Sequence, residues 1–203
     1  MAGGRGVGRT RRKCMDYLDR KCMTTTIRSE TSADYDSIRE LTINAFEASE
    51  FGHNGEADLL DSIWASKTDY LSLVACQAEQ IVGHIMFSSV RMMTCETESL
   101  GMGLAPMAVA PSLQRTGIGS LLVQNGIDRL FKKEIDFVVV LGHPDYYPRF
   151  GFRPVAEFNA SHGFSGIPQN VFFIRFRQSD TINAEAKKQI EYSSEFGPQF
   201  VGA

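Results

Sequence analysis

The stretch MAVAPSLQRTGIGSLLVQ, residues 107–124, begins as an apolar run and ends on helical spacing. Between the two lies Gln114-Arg115-Thr116-Gly117-Ile118-Gly119-Ser120. A strand that passes directly into a helix implies a β-α unit, and so a helix layer packed on a sheet. The junction also constrains chemistry. A turn alone needs one glycine. Two glycines and an arginine at a helix start leave unpaired N–H groups, and the positive end of the helix dipole, open to close approach. That arrangement suits an oxyanion, and a diphosphate above others. Neither G-x-x-x-x-G-K-[ST] nor G-x-G-x-x-G occurs at the junction, so a P-loop and a dinucleotide fingerprint are set aside. GGRGVG at residues 3–8 has glycines but neither a strand before it nor helical spacing after it.

The neighbouring segments frame this unit. TTIRSE is a short β-branched strand, and SADYDSIRELTINAFEASE reads as a helix capped by Ser32 or Asp34. A second helix is read in GHNGEADLLDSIWAS. YLSLVACQ and QIVGHIMFSSVRM, separated by Ala-Glu, predict a hairpin with Gly83 at a bulge. ESLGMGLAPMAVA is a fourth strand. Its Pro106 cannot donate a ladder hydrogen bond, so this strand is not fully paired on both edges. A helix over about 117–133 follows, with Ile118, Leu121, Leu122, Ile127, Leu130 and Phe131 on its buried stripe. DFVVVLG predicts a fully buried, parallel strand. HPDYYPRFGFRPV leads through a helical turn to another strand, VFFIRF is a further strand, and TINAEAKKQIEYSSEF predicts a terminal surface helix. The order predicts an α/β domain (α+β type) with a mixed, mostly antiparallel sheet and one β-α-β crossover.

With 203 residues, 43% apolar and 22% charged, the chain suffices for one domain with a core. No apolar run approaches the ~20 residues that span a bilayer, so no membrane partner is expected. Residues 1–22 carry seven Arg/Lys against two Asp, which leaves −8 on the remainder. This opening offers almost nothing to bury and is expected to be a disordered basic extension, upstream of a start at Met23. One folded unit is expected over 23–178, with 179–203 as a surface helix or tail. Cys14, Cys22, Cys76 and Cys95 form no C-x-x-C pair and no zinc spacing. A reduced, cytoplasmic, metal-free protein is expected, without nucleic acid as partner.

The run Q-R-x-G-I-G after a strand resembles motif A of the GCN5-related N-acetyltransferase (GNAT) family. YYPRFGFRP adds a match to its Y-x-x-x-G-F motif, with Tyr147 four residues before Gly151-Phe152. The two motifs lie about thirty residues apart with a buried strand between them, and the chain looks most like the family's YhbS-like bacterial group. The resemblance implies a twisted sheet with helices on both faces and splayed fourth and fifth strands. It implies acetyl-CoA as co-substrate, its diphosphate on Gln114, Arg115, Thr116, Gly117, Ile118, Gly119 and Ser120. Its pantetheine arm would pair with the backbone of Met107, Ala108 and Val109. The implied activity is acetyl transfer to a primary amine of a small molecule or protein, by a monomer or homodimer. A non-catalytic acyl-CoA sensor with the same fold is the alternative.

Amide formation needs a neutral amine beside the thioester, stabilisation of the oxyanion and a proton for the thiolate. A backbone N–H near Val109 suits the oxyanion, and Tyr147 suits the thiolate. Several family members carry a glutamate early on strand four. The corresponding position here is near Gly103, with Glu96 and Glu98 upstream. His143, Glu56 or a water chain remain as base. His84 and His162 read as structural, and Asp34 and Asp36 as a solvated face. Deleting residues 1–22 should leave melting temperature and turnover unchanged; a large drop in melting temperature would show that the arm docks on the domain.

Overall fold

A computed structural model describes residues 24–47, 55–162, 168–178, 186–193 and 195. The expected extension 1–22 lies outside these. Three helices of more than one short turn occur among them: α1 (Tyr35–Glu47), α2 (Glu56–Ala65) and α3 (Ile118–Lys132). The strands are β1 (Thr26–Ser29), β2 (Tyr70–Gln77), β3 (Gln80–Met93), β4 (Glu98–Val109), β5 (Phe137–Leu141), β6 (Arg153–Pro154), β7 (Ala160–His162), β8 (Phe172–Phe176) and β9 (Lys188–Tyr192). The sheet runs β1-β2-β3-β4-β5-β8-β6 and is antiparallel except for β4–β5 and β7–β9.

The β2–β3 hairpin turns through Ala78 and Glu79, both at positive φ, the backbone that lets a two-residue turn follow the strand twist. Opposite Gly83 the register slips between Ala75 and Cys76, so the glycine does sit at an irregularity. Its second reason is packing. A Cβ there would lie 2.9 Å from the Ile118 side chain, so helix α3 can rest directly on β3. Gly126 in α3 serves the same contact, since a Cβ would meet the ring of Phe87. The predicted stripe forms: Ile118, Leu122, Ile127 and Leu130 are buried against Leu73, Ile85, Phe87, Leu104, Val138 and Val140. Leu121 remains exposed. Helices α1 and α2 cover the opposite face, where Ile38, Leu60 and Ile63 meet Val74 and Met86. Alternation along β5 divides its side chains between α3 (Val138, Val140) and a second core at the far end of the sheet (Phe137, Val139).

The expected terminal helix is corrected. Residues 188–192 form β9, whose burial alternates with Lys188 and Ile190 inside and Gln189 and Glu191 outside. Strand β3 is 14 residues long and outruns β2, whose last pair is Tyr70↔Ser88. From Val90↔Tyr192 onward β9 pairs with β3. The open edge of β3 outweighs the helical bias of the Ala/Glu/Lys composition, because ladder bonds and the burial of Ile190 both depend on pairing. The buried Lys188 ammonium donates to the carbonyls of Phe158 (3.0 Å) and Ala186 (2.8 Å), tying the strand down.

The cap of the first helix also differs. Thr31 is the N-cap of a single 3₁₀ turn, Ser32–Asp34, with Asp34 closing a capping box, and α1 begins at Tyr35. Asp34 is buried rather than solvated. It accepts two bonds from the Arg28 guanidinium (2.7 and 2.8 Å) and two from Thr31 (2.8 and 2.9 Å). These hold its carboxyl well below the usual carboxylate range, with the Arg28 bonds the largest cause. His84, as expected, is structural. It is fully buried, 2.8 Å from Ser72 Oγ, and burial lowers its pKa from 6.5.

Both groups bind a proton less readily folded than unfolded, so both lend stability that acid removes. The His84 share should fade as pH falls below about 6.5, and the Asp34 share below about 3.8. Asp34→Ala should lower stability at pH 7 by about 2–3 kcal/mol and flatten the loss below pH 4 in urea titrations. An unchanged acid limb would remove Asp34 as its cause.

Candidate active site

Strands β4 and β5 are paired over only four rungs, from Gly101↔Phe137 to Leu104↔Val140. Gly101 permits the first rung, because a Cβ there would collide with the Phe137 ring. Past Leu104 the two strands part. Pro106 sits where the β3–β4 register also slips, between Phe87↔Leu104 and Ile85↔Met107. The proline's missing N–H falls where pairing lapses, as the sequence predicts. Met107, Ala108 and Val109 then pair with Ile85, His84 and Gly83 on one edge. Among the described residues their other edge has no strand.

A cleft of about 420 Å³ opens at this parting, lined by Met107 on one side and Gly142, His143, Asp145, Tyr146 and Tyr147 on the other. Above it the chain leaves β4 through a 3₁₀ turn, Pro111–Leu113, and reaches α3 through residues Gln114 to Gly117, all exposed. Gln114 Nε2 donates to the Val109 carbonyl (3.3 Å) and Thr116 Oγ1 to the Leu113 carbonyl (2.6 Å), which fixes the loop on the end of β4. Arg115 (φ 62°) and Gly117 (φ 99°) adopt left-handed backbone. A Cβ on Gly117 would touch nothing within 4 Å. Its glycine therefore answers to φ and not to crowding, and the surface above it is open. The Gly117 carbonyl accepts the first helical bond, from the Leu121 N–H (3.0 Å). The amides of Ile118, Gly119 and Ser120 thus stand at the free N-terminal end of a 15-residue helix.

Tyr147 lies below this end, 7% exposed. Its ring meets Tyr146 edge-on at 5.0 Å and Phe152 at 5.7 Å, and a Cβ on Gly142 would collide with it. Burial, with Tyr146 adding to it, raises the pKa of the phenol well above its ordinary value of 10. The group keeps its proton at neutral pH. Tyr146 is half-buried on the cleft, with the Arg149 guanidinium 4.0 Å over its ring.

The other candidates divide. His143 lines the cleft, and its Nδ1 accepts the Asp145 N–H (3.3 Å). Glu56 begins α2, accepts the Gly55 N–H (3.2 Å) and does not line the cleft. Glu98 pairs with Arg91 (3.4 Å), about 30 Å of strand from Met107. Glu96 lies in the preceding turn. Gly103 carries no side chain because the space is taken: a Cβ there would stand 2.6 Å from the Tyr192 ring. No group of His, Cys, Asp or Glu among the described residues is arranged to hold a metal. Sequence reasoning missed Glu30. Its carboxylate accepts the Trp64 indole N–H (2.9 Å) and the Ser72 hydroxyl, and lies 3.6 Å from His84. A lone glutamate after a strand gives no signal of such a network.

Comparison with known proteins agrees with this geometry. Residues 35–152 match the model of the acetyltransferase (GNAT) family. The chain is 38% identical over 126 residues to the uncharacterized N-acetyltransferase YjhQ of Escherichia coli strain K12, covering 61% of this chain and 67% of that protein. It is 30% identical over 171 residues to YhbS of the same strain, covering 84% and 97%. A Brucella melitensis GNAT acetyltransferase in complex with acetyl-CoA superposes with TM-score 0.69 at 29% identity, covering 86% of this chain and 99% of that one. Escherichia coli YhbS in complex with CoA superposes with TM-score 0.76 at 28% identity, covering 86% and 93%. The splayed strands, the glycine loop and these matches agree, and the chain belongs to the GNAT family of N-acetyltransferases.

Proposed function

We propose that the protein transfers the acetyl group of acetyl-CoA to a primary amine at the parting of β4 and β5. The observation that carries this reading is the alignment of three features about one cleft: an edge of β4 at Met107–Val109 that faces no strand among the described residues, an open glycine loop at the start of α3, and Tyr147 on the cleft wall. The residues fit the co-substrate. The open surface over Gly117 and the free amides of Ile118, Gly119 and Ser120 would take the diphosphate, with Arg115 exposed beside them. Backbone groups of Met107, Ala108 and Val109 would take the pantetheine amides as an added strand. When bound, acetyl-CoA supplies an activated acyl carbon and a thiolate leaving group. An N–H near Val109 meets the charge that develops on the acyl oxygen. Tyr147 delivers its proton to the departing sulfur. His143 is a side chain on the cleft able to take the amine proton, directly or through water, whereas Glu56 lies off it.

Gly103, with Tyr192 over it, favours a second reading, a sensor that binds acyl-CoA without turnover, because no carboxylate stands at that point of β4. Thiol release from acetyl-CoA against a broad amine library, with the product identified by mass, separates the two.

Acetyl-CoA, and desulfo-CoA nearly as well, should raise the melting temperature. Tyr147→Phe should lower kcat roughly 10²-fold with CoA affinity little changed, as expected for a positioned acid. Full activity in this variant would make Tyr147 a packing residue. Failure of any CoA to bind would end the reading itself.

A further inference from the structure

We infer that Tyr146 is a coenzyme-binding residue whose hydroxyl, held against the first turn of α3, donates a hydrogen bond to the diphosphate. This rests on the acetyl-CoA reading above and adds a ligand outside the glycine loop. The hydroxyl lies 2.8 Å from where a Cβ on residue 119 would stand, and the Met107 and Val109 side chains lie 3.8 Å from the same point. Tyr146 therefore reaches across the cleft from the β5 side to the helix start and the end of β4. Only glycine at 119 leaves room for it. An oxyanion seated on the amides of Ile118, Gly119 and Ser120 would lie on the side of the helix start where that hydroxyl stands.

Three neighbours hold the ring. Tyr147 packs on it at 5.0 Å and Phe150 at 5.3 Å, and the Arg149 guanidinium sits 4.0 Å over its face. Arg149 is itself held by a bond from its Nε to the Tyr146 carbonyl (3.0 Å). The cation over the ring face helps to hold the ring in this orientation. Among the described residues no protein group accepts that bond, so the donor is available to a ligand. The adjacent tyrosines thereby divide the work: Tyr146 faces the diphosphate and Tyr147 the reacting end.

Calorimetric titration of the full chain with desulfo-CoA tests this without turnover. Tyr146→Phe should weaken Kd about tenfold, the scale of one hydrogen bond to a charged group, at an unchanged melting temperature. Gly119→Ala, which thrusts a methyl at the hydroxyl, should weaken it in the same direction. With S-acetylpantetheine, which lacks the diphosphate, the wild-type to Tyr146→Phe ratio of kcat/KM should fall to about one. Equal Kd in wild type and Tyr146→Phe overturns the assignment, as does an undiminished ratio with S-acetylpantetheine. In either case tight wild-type binding leaves the acetyl-CoA reading standing.

Discussion

Everything distinctive about this molecule follows from how briefly β4 and β5 are paired. Parallel rungs run from Gly101↔Phe137 to Leu104↔Val140 and stop, while β4 continues to Val109 on the β3 side alone. A sheet edge with free N–H and C=O groups inside a domain is costly unless something fills it. Beyond Leu104 the edge of β4 at Met107–Val109 faces no strand among the described residues, and Gln114 Nε2 donates to its Val109 carbonyl. Phe137 and Val139 pack on one face of β5 while Val138 and Val140 pack on the other, so the strand is anchored up to the rung where it diverges.

The helix that follows β4 must then stand close to the sheet, or its free amides would not face the cleft. Two glycines bring it there: Gly83 in β3 beneath Ile118, and Gly126 in α3 above Phe87. An added methyl at either would force repacking at a cost of about 1–3 kcal/mol and would lift the helix start away from the parting. The same device recurs across the cleft, where Gly142 admits the Tyr147 ring and Gly119 admits the Tyr146 hydroxyl. Glycine thus sets the width of the site at each of its walls.

On the opposite face, α1 and α2 pack on the sheet through Ile38, Leu60 and Ile63. There, Glu30, Ser72, His84 and Trp64 form a buried polar network beneath α2, with a neutral imidazole kept by burial. Such a network specifies how α2 sits on β2 and β3, because each partner would be left unpaired by a shift in register. Strand β9 pairs with the far end of β3 and brings Tyr192 over Gly103 of β4.

Most of the architecture was legible in the chain: the hairpin, the lapse in pairing at Pro106, the buried strand at 137–141 and the glycine junction into α3. Each rests on local chemistry, namely alternation, a missing N–H, continuous β-branched apolar residues, or backbone at positive φ. What the chain did not disclose depends on partners distant in sequence. Lys188–Tyr192 has a helix former's composition, yet it becomes a strand because β3 extends past β2 and offers an edge. Asp34 reads as a solvated carboxylate, yet it is buried because Arg28 neutralises it. Tyr146 and Tyr147 are neighbours of the same type, and no periodicity tells them apart. Packing against Gly142 turns one inward and packing against Gly119 carries the other across the cleft. Sequence by itself determined the order of elements through β5 and the glycine turn into α3, since those are properties of contiguous residues. Only tertiary structure decided which side chains face the cleft, since that is a property of the surfaces that meet there.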